Sequence, residues 1–109
     1  MYEVITLIGS TRLGKDVWEK AAKRLTMRGN IVLVPTVWGI YDLIHSENGT
    51  NLMFMLDKMM RQKIDFSDRV VVLLENHRLG ESTKGYVSYA RKSLIPIDYI
   101  EVKDGEIVG

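Results

Sequence analysis

The run Arg69-Val70-Val71-Val72-Leu73-Leu74 constrains this chain more than any other stretch. Beyond Arg69 it shows no polar alternation, so as a strand it turns apolar side chains to both faces of a sheet. Such a strand is stable where layers cover both faces, the setting of a central parallel strand in an α/β domain. Tyr2 to Ile8 has the same nearly continuous apolar and β-branched character. Each run leads into small and hydroxyl residues and then into helical spacing. Gly9-Ser10-Thr11-Arg12 precedes a helix from Asp16, and Leu79-Gly80-Glu81-Ser82-Thr83 precedes one at Tyr86 to Ser93, with Val87, Ala90 and Leu94 at helical intervals.

The remaining segments complete this rhythm. Asp16 to Arg28 reads as an amphipathic helix with Val17, Ala21, Leu25 and Met27 inward, stopped by Gly29 or Asn30. Ile31 to Val34 is a second strand, closed by Pro35, and strand–helix–strand implies a right-handed parallel crossover. Thr36 to Thr50 follows no period and reads as a lid or an oligomer contact over the strand ends. Leu52 to Ile64 is a Met-rich helix whose Met53, Met55, Met59 and Met60 suit plastic core or subunit packing. Ile95 to Ile100 is a fourth strand, and the turn signal Lys103-Asp104-Gly105-Glu106 leads to a short edge strand at Ile107-Val108. The expected fold is a single domain over residues 1–109, a four- or five-stranded, mainly parallel α/β sandwich with Rossmann-like layers.

Composition narrows the function classes. Fifteen basic residues face 14 acidic ones, for a formal charge of +1, which argues against a nucleic-acid partner bound by a basic face. The absence of cysteine excludes disulfides, thiolate catalysis and cysteine–zinc sites. His45 and His77 lack an i, i+4 partner, so no metal is expected, although His77 falls at a strand's carboxyl end where ligand contacts gather. Asp65 and Asp68 read as turn and capping residues. No apolar window nears the roughly 20 residues of a membrane span, and Glu3 sits where a signal peptide would be basic. A cytoplasmic protein without cofactors or membrane contact is the expectation.

The two loops carry the candidate chemistry. Gly9-Ser10-Thr11-Arg12 has neither the three-glycine dinucleotide spacing nor the P-loop spacing. What it offers is a tight turn with two hydroxyls and a guanidinium, suited to a phosphate or carboxylate. In the second loop Gly80 permits close backbone approach, Ser82 and Thr83 can cap the helix or donate to an anion, and Glu81 suits a helix N-terminus. Ordinary turn and capping roles account for these residues equally well. Trp38 and Tyr41 are candidates to stack on a base or to pack against another subunit.

The order and spacing of Val4-Ile-Thr-Leu-Ile-Gly-Ser-Thr-Arg12, Lys63-Ile-Asp-Phe-Ser-Asp68, Gly80-Glu-Ser-Thr83, Tyr89-Ala-Arg-Lys92 and Ile95-Pro-Ile-Asp-Tyr99 resemble the small phage and bacterial proteins of the nucleoside 2-deoxyribosyltransferase-like superfamily. The resemblance spans nearly the whole chain and is weakest over Thr36 to Thr50. It implies a flavodoxin-like fold, assembly as homodimers or larger, and a pocket for a nucleoside or nucleotide. In the best-known members a glutamate near the start of the third helix attacks the anomeric carbon of an N-glycoside. That position is Tyr86 here, and a second acidic position on the preceding helix falls near Arg61. The resemblance therefore implies a nucleoside or nucleotide binder without the usual glutamate. The alternatives are an N-glycosidase or deoxyribosyltransferase using Glu81 and Tyr86, and an oligomeric interaction protein with a vestigial pocket. A phenol attacks sugars only with a neighbouring base, which the sequence does not single out.

Overall fold

The computed structural model describes residues 1–36 and 49–109. Along these residues the order is β1 (Val4–Ile8), a 3₁₀ turn (Thr11–Leu13), α1 (Lys15–Met27), β2 (Ile31–Leu33), α2 (Gly49–Asp65), β3 (Arg69–Glu75), α3 (Glu81–Lys92), β4 (Ile97–Lys103) and β5 (Glu106–Val108). The strands form one five-stranded sheet in the order β2-β1-β3-β4-β5. The first four strands run parallel, and β5 returns antiparallel to β4, so the sheet is mixed rather than wholly parallel. The β4–β5 connection is a tight hairpin with positive φ at both Asp104 and Gly105, as a two-residue type I′ turn requires.

The doubly apolar strands sit at the centre as their composition demands. In β3, Val71 and Leu73 face one layer while Val70 and Val72 face the other, and all four are buried. On the first face Val17, Trp18, Ala21 and Leu25 of α1 pack on Ile5, Leu7, Ile100 and Val102. On the second, Met60 and Ile64 of α2 join Val87 and Ala90 of α3 over Ile8, Val70 and Val72. Helix α1 touches both edge strands, β2 and β5, and Lys20 pairs with Glu106 at 3.6 Å, so the sheet curls around that helix.

Several boundaries and faces differ from expectation. Helix α3 begins at Glu81, five residues before Tyr86, and Leu94 lies beyond it, 90% exposed with a φ of 58°. Its N-cap is Gly80 with no capping side chain, so Ser82 and Thr83 do not cap. Met27 is exposed and Trp18 takes the core place beside Val17. Of the α2 methionines only Met60 is buried, whereas Met53, Met55 and Met59 are exposed. The α1 stop is as expected: Gly29 N donates to Thr26 O and Asn30 N to Leu25 O, with Gly29 left-handed at a φ of 90°. The lid or oligomer contact of residues 36–50, with Trp38, Tyr41 and His45, lies largely outside the described residues.

Candidate functional site

The carboxyl ends of β1 and β3 are adjacent, and their following helices leave to opposite faces of the sheet. That divergence opens a crevice at the strand ends, the place where open α/β sheets bind ligands. A cavity of about 800 Å³ occupies it, within the roughly 300–1,000 Å³ of small-molecule sites. Gly9, Ser10, Thr11 and Arg12 line one side, and Gly80, Glu81, Ser82, Thr83 and Tyr86 line another. All nine residues proposed from the two loops thus meet at one cavity, with Pro35 and Thr36 beyond β2 and a wall of α2 completing it.

Local structure explains how each loop is held. Ser10 O accepts from the Trp18 indole at 3.1 Å, and Ser10 Oγ accepts from Arg12 N at 3.1 Å, which starts the 3₁₀ turn. Gly9 is required by its neighbours: a Cβ there would lie 2.9 Å from Leu73 Cβ and 3.2 Å from Leu73 O. Gly80 has an ordinary φ of −72°, and a Cβ on it would meet nothing within 4 Å. Without a capping side chain, the first N–H groups of α3 remain open to an anion at the cavity rim. Thr83 is 3% exposed and lines the cavity.

Tyr86 has a neighbour that sequence spacing did not single out. The Asp57 carboxylate of α2 stands near enough to its phenol to act on its ionisation, and Asp57 Oδ2 is 3.2 Å from Arg61 Nε. Burial first, then the hydrogen-bonding and negative charge of Asp57, push the phenol up to about 12. Arg61 also lies over the Tyr89 ring, 5.3 Å from its centroid, and Asp65 accepts from Tyr89 Oη at 2.7 Å. Asp57, Arg61 and Asp65 fall at i, i+4 and i+8 on α2, against Tyr86 and Tyr89 at i and i+3 on α3. That matched spacing was the signal for the pair. Arg61 is no carboxylate, but Asp57, one turn earlier, supplies one beside Tyr86.

Other candidates take structural places. Glu81 lies at the rim with its side chain 92% exposed and pairs outward with Lys84 at 3.4 Å. His77 is absent from the cavity wall; its N–H donates to Glu101 at 3.0 Å and its Nδ1 lies 3.3 Å from the same carboxylate, within the turn after β3. Asp68 accepts from Val4 N at 2.8 Å and so ties the start of β1, whereas Asp65 serves Tyr89 rather than a turn. Among the described residues no three His, Asp or Glu side chains gather as a metal-ligand set, and no helix is long and apolar enough to cross a membrane. Lys63, unmarked by any sequence motif for ligands, does line the cavity.

Comparison with protein families and with curated proteins finds no match for this chain.

Proposed function

We propose that this chain is a nucleoside- or nucleotide-binding protein of the nucleoside 2-deoxyribosyltransferase-like type, with a flavodoxin-like three-layer fold. The observation that carries the reading is the convergence of both loops on one cavity at the β1/β3 switch point. In this reading the open N-terminus of α3, Thr83, Ser82 and Arg12 receive a phosphate or sugar hydroxyls. Gly80 supports it further: among the described residues nothing demands a glycine there, and the open space beside its backbone suits a ligand. The exposed Met53, Phe54 and Met55 on α2 support a homo-oligomer, and the absence of cysteine suits the cytoplasm.

The test is a thermal melt with each deoxynucleoside and its 5′-monophosphate, run beside chromatography for free base. A ligand present at 100 times its Kd stabilises by about 2.7 kcal/mol, which a melt resolves readily. The expected result is a shift with the ligand left intact. No shift across the panel overturns the reading and leaves an interaction protein as its successor.

The Tyr86–Asp57 pair favours a second reading, an N-glycosidase or transferase. As the phenol oxygen bonds to the anomeric carbon, Asp57 accepts its proton and the base leaves with the C–N bonding pair, taking a proton from solvent. Water or an acceptor base then bonds to the anomeric carbon and releases a proton to solvent, while the phenol oxygen leaves with the C–O bonding pair and takes its proton back from Asp57. Release of free base that disappears in Tyr86→Phe establishes this reading in place of the first.

A further inference from the structure

We infer that Lys63 makes the cavity select an anionic ligand over a neutral one of the same shape. The inference rests on the nucleotide reading of the cavity and adds the charge class of its occupant. Lys63 is the cation at the end of the stripe Leu56, Met59, Met60 and Lys63, which spaces i, i+3, i+4 and i+7 along the cavity wall of α2. Both ends of this residue are held. Its carbonyl accepts from Thr6 Oγ1 at 3.0 Å and from Ser67 Oγ at 2.8 Å, with Thr6 fully buried in β1. Its Nζ donates to Val34 O at 2.8 Å, just beyond β2. An ammonium has three donors, so two remain for a ligand.

The charge of Lys63 is uncompensated. Among the described residues no carboxylate lies within ion-pair distance of it, nor of Arg12 on the neighbouring wall. Glu81, the acidic residue on the cavity lining, is turned to Lys84. Burial lowers the hold of Lys63 on its proton, as expected of a desolvated ammonium without a counter-charge. A ligand anion supplies that charge through a charge-assisted hydrogen bond to an ammonium already held in place. The pre-set position of the side chain limits the entropy lost on binding.

The structural alternative is that Lys63 is only a strut for the Val34 carbonyl. Lys63→Gln separates the two roles because it keeps an N–H donor and removes the charge, and Lys63→Arg restores charge with a different fork. Calorimetry would compare a deoxynucleoside, its 5′-monophosphate and 2-deoxyribose 5-phosphate on the wild-type chain and both variants, each checked for folding by circular dichroism. The expected wild-type preference for the monophosphate over the nucleoside is at least about tenfold, the worth of one charge-assisted hydrogen bond. Lys63→Gln should shrink it to within about threefold by weakening the monophosphate more than the nucleoside, and Lys63→Arg should retain most of it. A preference that survives in Lys63→Gln, or an equal loss for both ligands, overturns the inference. If neither nucleoside nor monophosphate binds, the nucleotide reading fails by itself. Lys63-dependent capture of 2-deoxyribose 5-phosphate then still supports charge selection, and no capture overturns it.

Discussion

Gly9 and Gly80 show how one residue type answers two different demands. At Gly9 the β1 loop passes so close to Leu73 that a methyl group must displace backbone or core. Gly9→Ala is expected to cost about 1–3 kcal/mol in urea unfolding, as overpacking does. At Gly80 the added group meets nothing, and a serine there gains a capping oxygen for α3. Gly80→Ser should raise stability by a few tenths of a kcal/mol while weakening ligand binding, a split that melts with and without ligand would read. Tyr86 carries the pH dependence at this scale. Its phenol titrates near 10 unfolded and at about 12 folded, so between those values the folded chain holds the proton that the unfolded chain has lost. Stability contributed by Tyr86 is full below pH 10 and falls as pH rises toward 12. Unfolding of Tyr86→Phe should therefore show a shallower alkaline loss than wild type. Lys63 has the opposite sign: its proton leaves the folded state first, so its contribution rises with pH up to its ordinary 10.5.

At the scale of elements, α3 ends with a strained residue. Leu94 N donates to Arg91 O and Ile95 N to Ala90 O, the pairing of a helix stop that puts its C′ residue in the left-handed region. Leu94 occupies that place at a φ of 58° with its side chain 90% exposed, so it suffers the steric cost and gains little packing. Leu94→Gly should stabilise the protein by about 1 kcal/mol after the entropy of the added glycine is set against the relief. Helices α2 and α3 are joined on their outer side by the Asp57–Tyr86, Arg61–Tyr89 and Asp65–Tyr89 contacts. Arg61 and Asp65 are exposed and the other three residues only half-buried, so the contacts do more to set where Tyr86 stands than to stabilise the fold.

Across the whole molecule, β1 and β3 are covered on both faces while β2 and β5 are edges. One face of the sheet is served by α1, around which the strands curl, and the other by α2 and α3. Beyond these two cores α2 leaves Met53, Phe54, Met55 and Met59 exposed, more apolar surface than a lone helix usually shows. If the chain assembles as proposed, light scattering at micromolar concentration should give at least twice the 12.5 kDa chain mass, and Phe54→Ser should lower it. A monomer in both would remove assembly from the proposal and leave the cavity reading untouched.

Local pattern alone was enough for the two central strands, to within two residues at an end, and for the Asp104-Gly105 hairpin, the Gly29 helix stop and the two loops at one rim. The physical reason is that periodicity, turn residues and β-branching act between neighbours in the chain, so the sequence displays them directly. Contacts between distant residues needed the assembled fold. Lys63 reaches Val34 across 29 positions, and Thr6 reaches the Lys63 carbonyl across 57. Asp57 meets Tyr86 only because α2 and α3 share a face, and Gly9 is crowded only because β1 lies beside β3. The exposure of the α2 methionines and of Leu94 was likewise invisible, since an apolar residue is buried only where another element arrives to cover it. The chain thus wrote its elements and its loop chemistry locally, while the base beside the phenol and the cation in the cavity came from packing.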